Sequence, residues 1–121
     1  MPKIMIVDDD VTIQLELEEY LTHMDYTVVG IADTGAGAVE MASEMKPDLI
    51  LMDVQLPGMD GLTATRLLKE DTRTSSIPVV ALTAQAMVGD QEKAEAAGCN
   101  GYMVKPIDTR QFPKTVASYL T

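Results

Sequence analysis

The chain reads Leu49-Ile50-Leu51-Met52-Asp53 near its middle, a short apolar run that ends in a carboxylate. The same arrangement occurs near its start, where residues 4–7 (IMIV) are followed by Asp8, Asp9 and Asp10. Short apolar runs of this kind are typical of parallel strands that are buried on both faces of a sheet. Because open α/β sheets bind ligands at the carboxyl ends of their strands, both runs would deliver acids to one functional edge.

The remaining sequence alternates between strand-like and helix-like segments. Strands are predicted at residues 3–7, 27–31, 48–53, 77–83 and 101–104. The segments between and after them carry apolar residues at helical spacing, and the fourth helix is predicted from Met87 to Ala97, with Gly98 as its C-cap. Such alternation predicts an α/β fold in which right-handed crossovers place five helices on the two faces of a five-stranded parallel sheet, a doubly wound arrangement.

Composition limits the classes of protein to which the chain can belong. Its 121 residues predict a single domain, residues 1–121, with no output domain after the fifth helix. The net charge of −10, with nine scattered basic residues, argues against direct nucleic-acid binding, which requires clustered Lys and Arg. The single cysteine excludes an internal disulfide and fits a reducing compartment. Without a signal segment or an apolar run of about 20 residues, a cytoplasmic protein with no membrane association is predicted.

The predicted strand ends bring together residues that suit phosphoryl transfer. Asp8 and Asp9 follow the first strand, Asp53 ends the third, Thr83 ends the fourth and Lys105 follows the fifth. Two carboxylates about 4 Å apart repel by roughly 4 kcal/mol at an effective dielectric of about 20, so a cation or a lysine has to offset the cluster. Carboxylates suit Mg²⁺, whereas an ammonium group and a hydroxyl group suit phosphoryl oxygens. The pattern therefore predicts metal-assisted phosphoryl transfer onto a carboxylate.

Four blocks of sequence resemble the receiver domains of two-component response regulators, over essentially the whole chain. The blocks are residues 6–10 (IVDDD), 48–61 (DLILMDVQLPGMDG), 78–84 (PVVALTA) and 101–106 (GYMVKP). The resemblance implies a flavodoxin-like sheet with strand order 2-1-3-4-5 and a cis peptide bond before Pro106. It also implies a receiver, of the stand-alone type, that is phosphorylated by a histidine kinase or a histidine phosphotransfer protein.

The resemblance implies a role for each acid at the predicted edge. Asp53 would accept the phosphoryl group, and Lys105 would pair with it. Asp8 and Asp9 would hold Mg²⁺, or Mn²⁺ in its place, together with Asp53 and the backbone carbonyl of Gln55. No turnover of an external substrate is expected, since the group that reacts belongs to the protein itself.

A second set of implied roles concerns the response to phosphorylation. The Thr83 hydroxyl would bond the phosphoryl oxygen, which lets Tyr102 turn inward and changes the surface of helix 4, strand 5 and helix 5. That surface would meet a downstream protein target or a second copy of the chain. Residues 82–87 (LTAQAM) resemble those of receivers attached to hybrid kinases and of stand-alone receivers, so relay or protein docking is favoured over transcription. Gln55 and Gln85 resemble positions that tune the lifetime of the phosphorylated state. Met87 and Val88, placed on helix 4, are candidate partner contacts.

Three other functions fit parts of the pattern. Residues 8–12 (DDDVT) match the Asp-x-Asp-x-Thr signature of haloacid dehalogenase-type phosphatases, in which Asp8 would be the nucleophile and Asp53 would have no role. A docking module of the same fold would not need the site residues. A flavodoxin-like protein would bind FMN at this edge, where the acids would repel its phosphate. Turnover of a phosphate ester, lack of phosphoryl uptake and bound flavin would distinguish them.

Overall fold

A computed structural model describes residues 1–84 and 88–120, in which strands and helices alternate along the chain. The strands are β1 (Lys3–Val7), β2 (Thr27–Ala32), β3 (Leu49–Asp53), β4 (Val79–Thr83) and β5 (Gly101–Val104). The helices are α1 (Val11–His23), α2 (Gly35–Met45), α3 (Gly61–Glu70), α4 (Asp90–Ala97) and α5 (Gln111–Ser118). Among these helices, none is both long enough and apolar enough to cross a membrane.

The strands form one parallel sheet in the order β2-β1-β3-β4-β5. β1 lies between β2 and β3, and Val7 at its end pairs with Ala32 on one side and with Met52 on the other. β4 lies on the far side of β3, where Asp53 pairs with Leu82. The ends of these strands therefore lie side by side at one edge of the sheet. The predicted fold class and strand order are confirmed, and five helices are found within residues 1–84 and 88–120.

Helices cover both faces of the sheet, which explains why most residues of the central strands are apolar. β3 is buried at every residue, and β1 is buried from Ile4 to Val7. Successive side chains point to opposite faces, so the strands supply two cores. One core includes Met5, Val7, Ile50 and Met52 with residues of α2 and α3, and the other includes Ile4, Ile6, Leu49 and Leu51 with residues of α1 and α5. Full burial of each such side chain contributes roughly 1.5–3 kcal/mol.

Three helices begin at a residue whose side chain caps the first turn. Asp10 accepts a hydrogen bond from the Thr12 N–H at 2.9 Å, Thr34 from the Gly37 N–H at 3.0 Å, and Asp60 from the Thr63 N–H at 2.7 Å. Each bond satisfies an N–H group that the start of a helix leaves unpaired, which contributes about 1 kcal/mol. Asp10, the third acid after β1, therefore serves as the N-cap of α1.

The predicted start of the fourth helix is wrong. α4 begins at Asp90 rather than at Met87, and Gly89 before it has a φ of 88°, a left-handed conformation that glycine adopts without strain. Val88 therefore lies in a turn before the helix, with its side chain fully exposed, and not on the helix. Gln85 and Met87 fall outside the described residues.

The strand boundaries differ from the predicted ones by one or two residues. β2 extends to Ala32, β3 begins at Leu49 and β4 begins at Val79. Pro78 has no N–H group to donate to the ladder, so β4 begins one residue after it. Its carbonyl still accepts a hydrogen bond from the Ile50 N–H at 3.0 Å.

Candidate functional site

Three carboxylates meet at the carboxyl edge of the sheet. Asp8 and Asp9 directly follow β1, and Asp53 ends the neighbouring strand β3. One oxygen from each lies within 4.8 Å of the others; Asp8 and Asp53 are buried, whereas Asp9 is exposed. Hard oxygen donors, two held in the interior and one open to solvent, fit a cation such as Mg²⁺, which usually keeps part of its water shell. The structure thus brings the three predicted metal-ligating side chains together.

Lys105 reaches the same cluster from the loop after β5. Its Nζ donates a hydrogen bond to Asp8 Oδ2 at 2.8 Å and lies 3.4 Å from Asp53 Oδ1. The peptide bond between Lys105 and Pro106 is cis, which confirms that expectation. Only 13% of the Lys105 side chain is exposed, so these charges attract each other more strongly than a surface pair does. A single ammonium group nevertheless leaves the cluster negative, because it faces more than one carboxylate.

Burial and neighbouring charges shift the pKa values of Asp53 and Lys105. Burial, followed by the negative charge of Asp8, raises the pKa of Asp53. Lys105 opposes that increase, as does the Gln55 N–H, which donates to Asp53 Oδ1 at 3.2 Å. Burial by itself would lower the pKa of Lys105, but the hydrogen bond to Asp8 and the charges of Asp53 and Asp8 raise it overall. The raised pKa of Asp53 means that its ionised form is less stable here than in water and gains from an added cation.

Thr83 and Tyr102 share a small cavity beside the cluster. Thr83 ends β4, next to Asp53, and is buried. The cavity has a volume of about 330 Å³ and is lined by Val54, Gln55, Asp60, Leu62, Thr83, Asp90, Lys93 and Tyr102. The Tyr102 hydroxyl oxygen is buried and has no hydrogen-bond partner among the described residues. Because a buried hydroxyl without a partner is unfavourable, Tyr102 gains from any rearrangement that supplies one.

Two glycines fix the loop after β3, a role that the sequence analysis missed. Gly61 begins α3, and a Cβ atom there would overlap the main-chain oxygen of Asp53. Gly35 begins α2, and a Cβ atom there would lie 2.6 Å from the main-chain oxygen of Met59. Because glycine has no Cβ atom, both helices can pack closely against the loop that follows Asp53. The signal was a capping residue followed directly by glycine, at Thr34-Gly35 and at Asp60-Gly61.

The sequence matches known response regulators along most of its length. The family model of the response regulator receiver domain matches residues 4–117. The polar-differentiation response regulator DivK of Brucella anthropi is 41% identical over 121 residues, which covers 99% of this chain and 98% of that protein. DivK of Brucella ovis is 40% identical over 117 residues, covering 97% of this chain and 94% of that protein.

The fold matches solved receiver structures equally well. One is the receiver domain of a sensor histidine kinase from Pseudomonas aeruginosa PAO1, with a magnesium ion coordinated in its active site cleft. It matches this structure with a TM-score of 0.90 and 33% sequence identity, and the match covers 98% of this chain and 97% of that one. A putative response regulator from Chloroflexus aurantiacus has a TM-score of 0.93 at 32% identity, with the same coverage of 98% and 97%. From its family match, its relatives and its strand order, the chain belongs to the response regulator receiver domains of two-component signalling.

Proposed function

We propose that this receiver accepts a phosphoryl group on Asp53 from the phosphohistidine of a histidine kinase or of a histidine phosphotransfer protein. The observation that carries the proposal is the position of Lys105, whose Nζ lies 2.8 Å from Asp8 and 3.4 Å from Asp53. Asp8, Asp9, Asp53 and the backbone carbonyl of Gln55 would hold Mg²⁺, or Mn²⁺ in its place. When bound, the ion supplies positive charge to the phosphoryl oxygens.

The residues around Asp53 each have a part in the transfer. An oxygen of Asp53 attacks phosphorus while the bond to the donor imidazole nitrogen breaks, and the electron pair of that bond leaves with the imidazole. Lys105 and the Gln55 N–H favour the ionised form of Asp53, because both oppose the increase in its pKa. The ammonium group of Lys105 then pairs with one phosphoryl oxygen, and the Thr83 hydroxyl donates to another.

Asp53 is better placed than Asp8 to act as the nucleophile. Asp8 is fully buried, and both of its carboxylate oxygens are engaged: Oδ1 accepts from the Asp10 N–H at 2.9 Å, and Oδ2 accepts from Lys105 at 2.8 Å. The corresponding contacts of Asp53 Oδ1 are longer, at 3.2 Å from the Gln55 N–H and 3.4 Å from Lys105. This difference favours the receiver reaction over a phosphatase reaction in which Asp8 attacks.

The proposed output is a change of surface rather than a chemical product. Thr83 moves toward the phosphoryl group, and Tyr102 follows into the shared cavity, which alters the face formed by α4, β5 and α5. That face would bind a downstream protein, or a second copy of the chain, in the cytoplasm. The receiver would therefore serve as a relay or docking protein, without a direct contact to nucleic acid or membrane and without turnover of an external substrate.

The reaction is tested by measuring the intact mass after incubation with acetyl phosphate and Mg²⁺. One phosphoryl adduct is expected on the wild type, and none on Asp53→Asn or on a sample treated with EDTA. Asp33→Asn is the matched control, because Asp33 is an exposed acid that follows β2 at the same edge. An adduct that persists on Asp53→Asn would refute the assignment of the acceptor.

The donor protein is expected to dock on the start of α1. Val11 and Leu15 are apolar yet 63% and 59% exposed, and they lie one turn apart on one face, directly after the acidic cluster. Leu15→Asp should slow phosphotransfer from a phosphotransfer protein about tenfold, since a residue at the centre of an interface typically costs more than about 1 kcal/mol when it is replaced, and about 1.4 kcal/mol corresponds to tenfold. The rate with acetyl phosphate should not change, because that donor needs no docking surface.

Met45→Asp is the control for this experiment. Met45 is also apolar and 43% exposed, but it ends α2 at the opposite edge of the sheet. Rates are compared by the transfer of radioactive phosphate to each variant. Equal loss in both variants, or a loss with acetyl phosphate as well, would show that α1 is not the docking surface.

A further inference from the structure

Gln14 connects α1 to the backbone of the acidic cluster. Its Nε2 donates a hydrogen bond to the main-chain oxygen of Asp8 at 2.5 Å, and this contact is partly buried. Gln14 lies in the first turn of α1, where its own N–H donates to the Asp10 oxygen at 3.0 Å. The side chain therefore reaches back over residues 8–10 while its backbone is held in the helix.

The bond from Gln14 acts on the peptide group that joins Asp8 to Asp9. A peptide group is planar, so the direction of the Asp8 carbonyl also sets the direction of the Asp9 N–H and the position of the Asp9 Cα. Asp8 itself is held in other ways: its N–H donates to the Ala32 oxygen at 3.0 Å, and its carboxylate binds Lys105. Asp9 is the exposed member of the cluster, and the direction of its side chain depends on the orientation of that peptide plane.

We infer that Gln14 is a positioning residue for the divalent cation, which it serves by orienting Asp9 through the Asp8 carbonyl. The inference rests on the proposed function, because it requires that Asp8, Asp9 and Asp53 bind Mg²⁺. Outer partners of metal ligands typically change metal affinity by about 10–100-fold when they are removed. The side chain of Gln14 bonds the main chain of Asp8 rather than Asp53, so Gln14 would alter the occupancy of the metal site and leave the transfer step unchanged.

Gln14→Met tests this inference, because methionine keeps the length and shape of the side chain but cannot donate. The dissociation constant for Mg²⁺, measured by calorimetry on the full chain, should rise about tenfold. The Mg²⁺ concentration that gives half the maximal rate with acetyl phosphate should rise equally. The rate at saturating Mg²⁺ should match the wild type, a separation that a general structural defect would not produce.

Two further variants make the result decisive. Thr22→Val removes another bond from a side chain to a carbonyl of α1, to the Glu18 oxygen at 2.7 Å, and should leave Mg²⁺ affinity unchanged. Gln14→Glu adds a negative charge, which by attraction alone would strengthen Mg²⁺ binding. Glutamate cannot donate the hydrogen bond to the Asp8 carbonyl, however, so this variant should bind Mg²⁺ more weakly than the wild type. Wild-type affinity in Gln14→Met would overturn the inference. Failure of the wild type itself to bind Mg²⁺ would instead refute the proposed function.

Discussion

Lys105→Met is expected to lower the free energy of unfolding by roughly 3 kcal/mol when divalent cations are absent. The ammonium group of Lys105 lies 2.8 Å from Asp8 and 3.4 Å from Asp53, so it offsets part of their negative charge. Removing it would leave two buried carboxylates to repel each other, and Asp53 already has a raised pKa. Urea unfolding at neutral pH in EDTA measures the loss. Lys46→Met, at an exposed lysine after α2, should change stability little.

Magnesium and pH should both change the size of this effect. Added Mg²⁺ supplies the missing positive charge, so it should restore more stability to Lys105→Met than it adds to the wild type. The pKa of Lys105 is raised in the folded state, so its contribution is complete below its ordinary value of 10.5 and is lost as the pH rises through the folded value. The two proteins should therefore converge in alkaline solution. Equal stability at neutral pH without metal would contradict the ion-pair argument.

Gly61→Ala is expected to lower the rate of phosphorylation by acetyl phosphate about 100-fold. The added methyl group would overlap the main-chain oxygen of Asp53, and backbone atoms on both sides leave little freedom to relieve the overlap. The acceptor or the start of α3 then has to move, and a displacement of about 1 Å can cost about 10²-fold in rate. Overpacking of this kind should also destabilise the fold by roughly 1–3 kcal/mol.

Gly37→Ala is the control for Gly61→Ala. Gly37 lies in the first turn of α2, where a Cβ atom would meet the Thr34 hydroxyl at 2.9 Å and no atom of Asp53. Displacing that hydroxyl weakens the cap of α2 by about 1 kcal/mol, which the helix propensity of alanine offsets in part, so phosphorylation should stay close to that of the wild type. Rates are measured by intact mass at fixed times. A Gly61→Ala protein that is phosphorylated as fast as Gly37→Ala would show that the helix does not position Asp53.

The sheet and the members of the site were predictable from sequence because each depends on short patterns. β1 from Ile4 to Val7 and β3 from Leu49 to Met52 are buried on both faces, so these stretches contain only apolar residues, and a carboxylate directly follows each. That abrupt change marks both the strand and the functional edge. Lys105 needed more than a local pattern, since a single lysine before proline is usually a surface residue. Its place followed from the predicted end of the fifth strand and from the acids at the same edge, and the structure locates it beside Asp8.

The features that escaped prediction depend on contacts between distant parts of the chain. Gly61 could be read as the start of a helix, but its closeness to the Asp53 carbonyl arises only when α3 packs on β3. The start of α4 was misplaced because Met87 and Val88 extend an apolar pattern, whereas Gly89 takes a left-handed conformation just before the helix. The hydrogen bond from Gln14 likewise requires both the end of β1 and the first turn of α1.

The ion pair between Lys105 and Asp8 joins residues that are 97 positions apart in the sequence. During synthesis the acids at both strand ends emerge well before Lys105, so a partly made chain carries the proposed acceptor without its ammonium group. The proposed reaction would therefore depend on β5 joining the sheet next to β4. On this proposal, the ability to react would report complete folding, and an incompletely folded copy would not be phosphorylated and would pass on no signal.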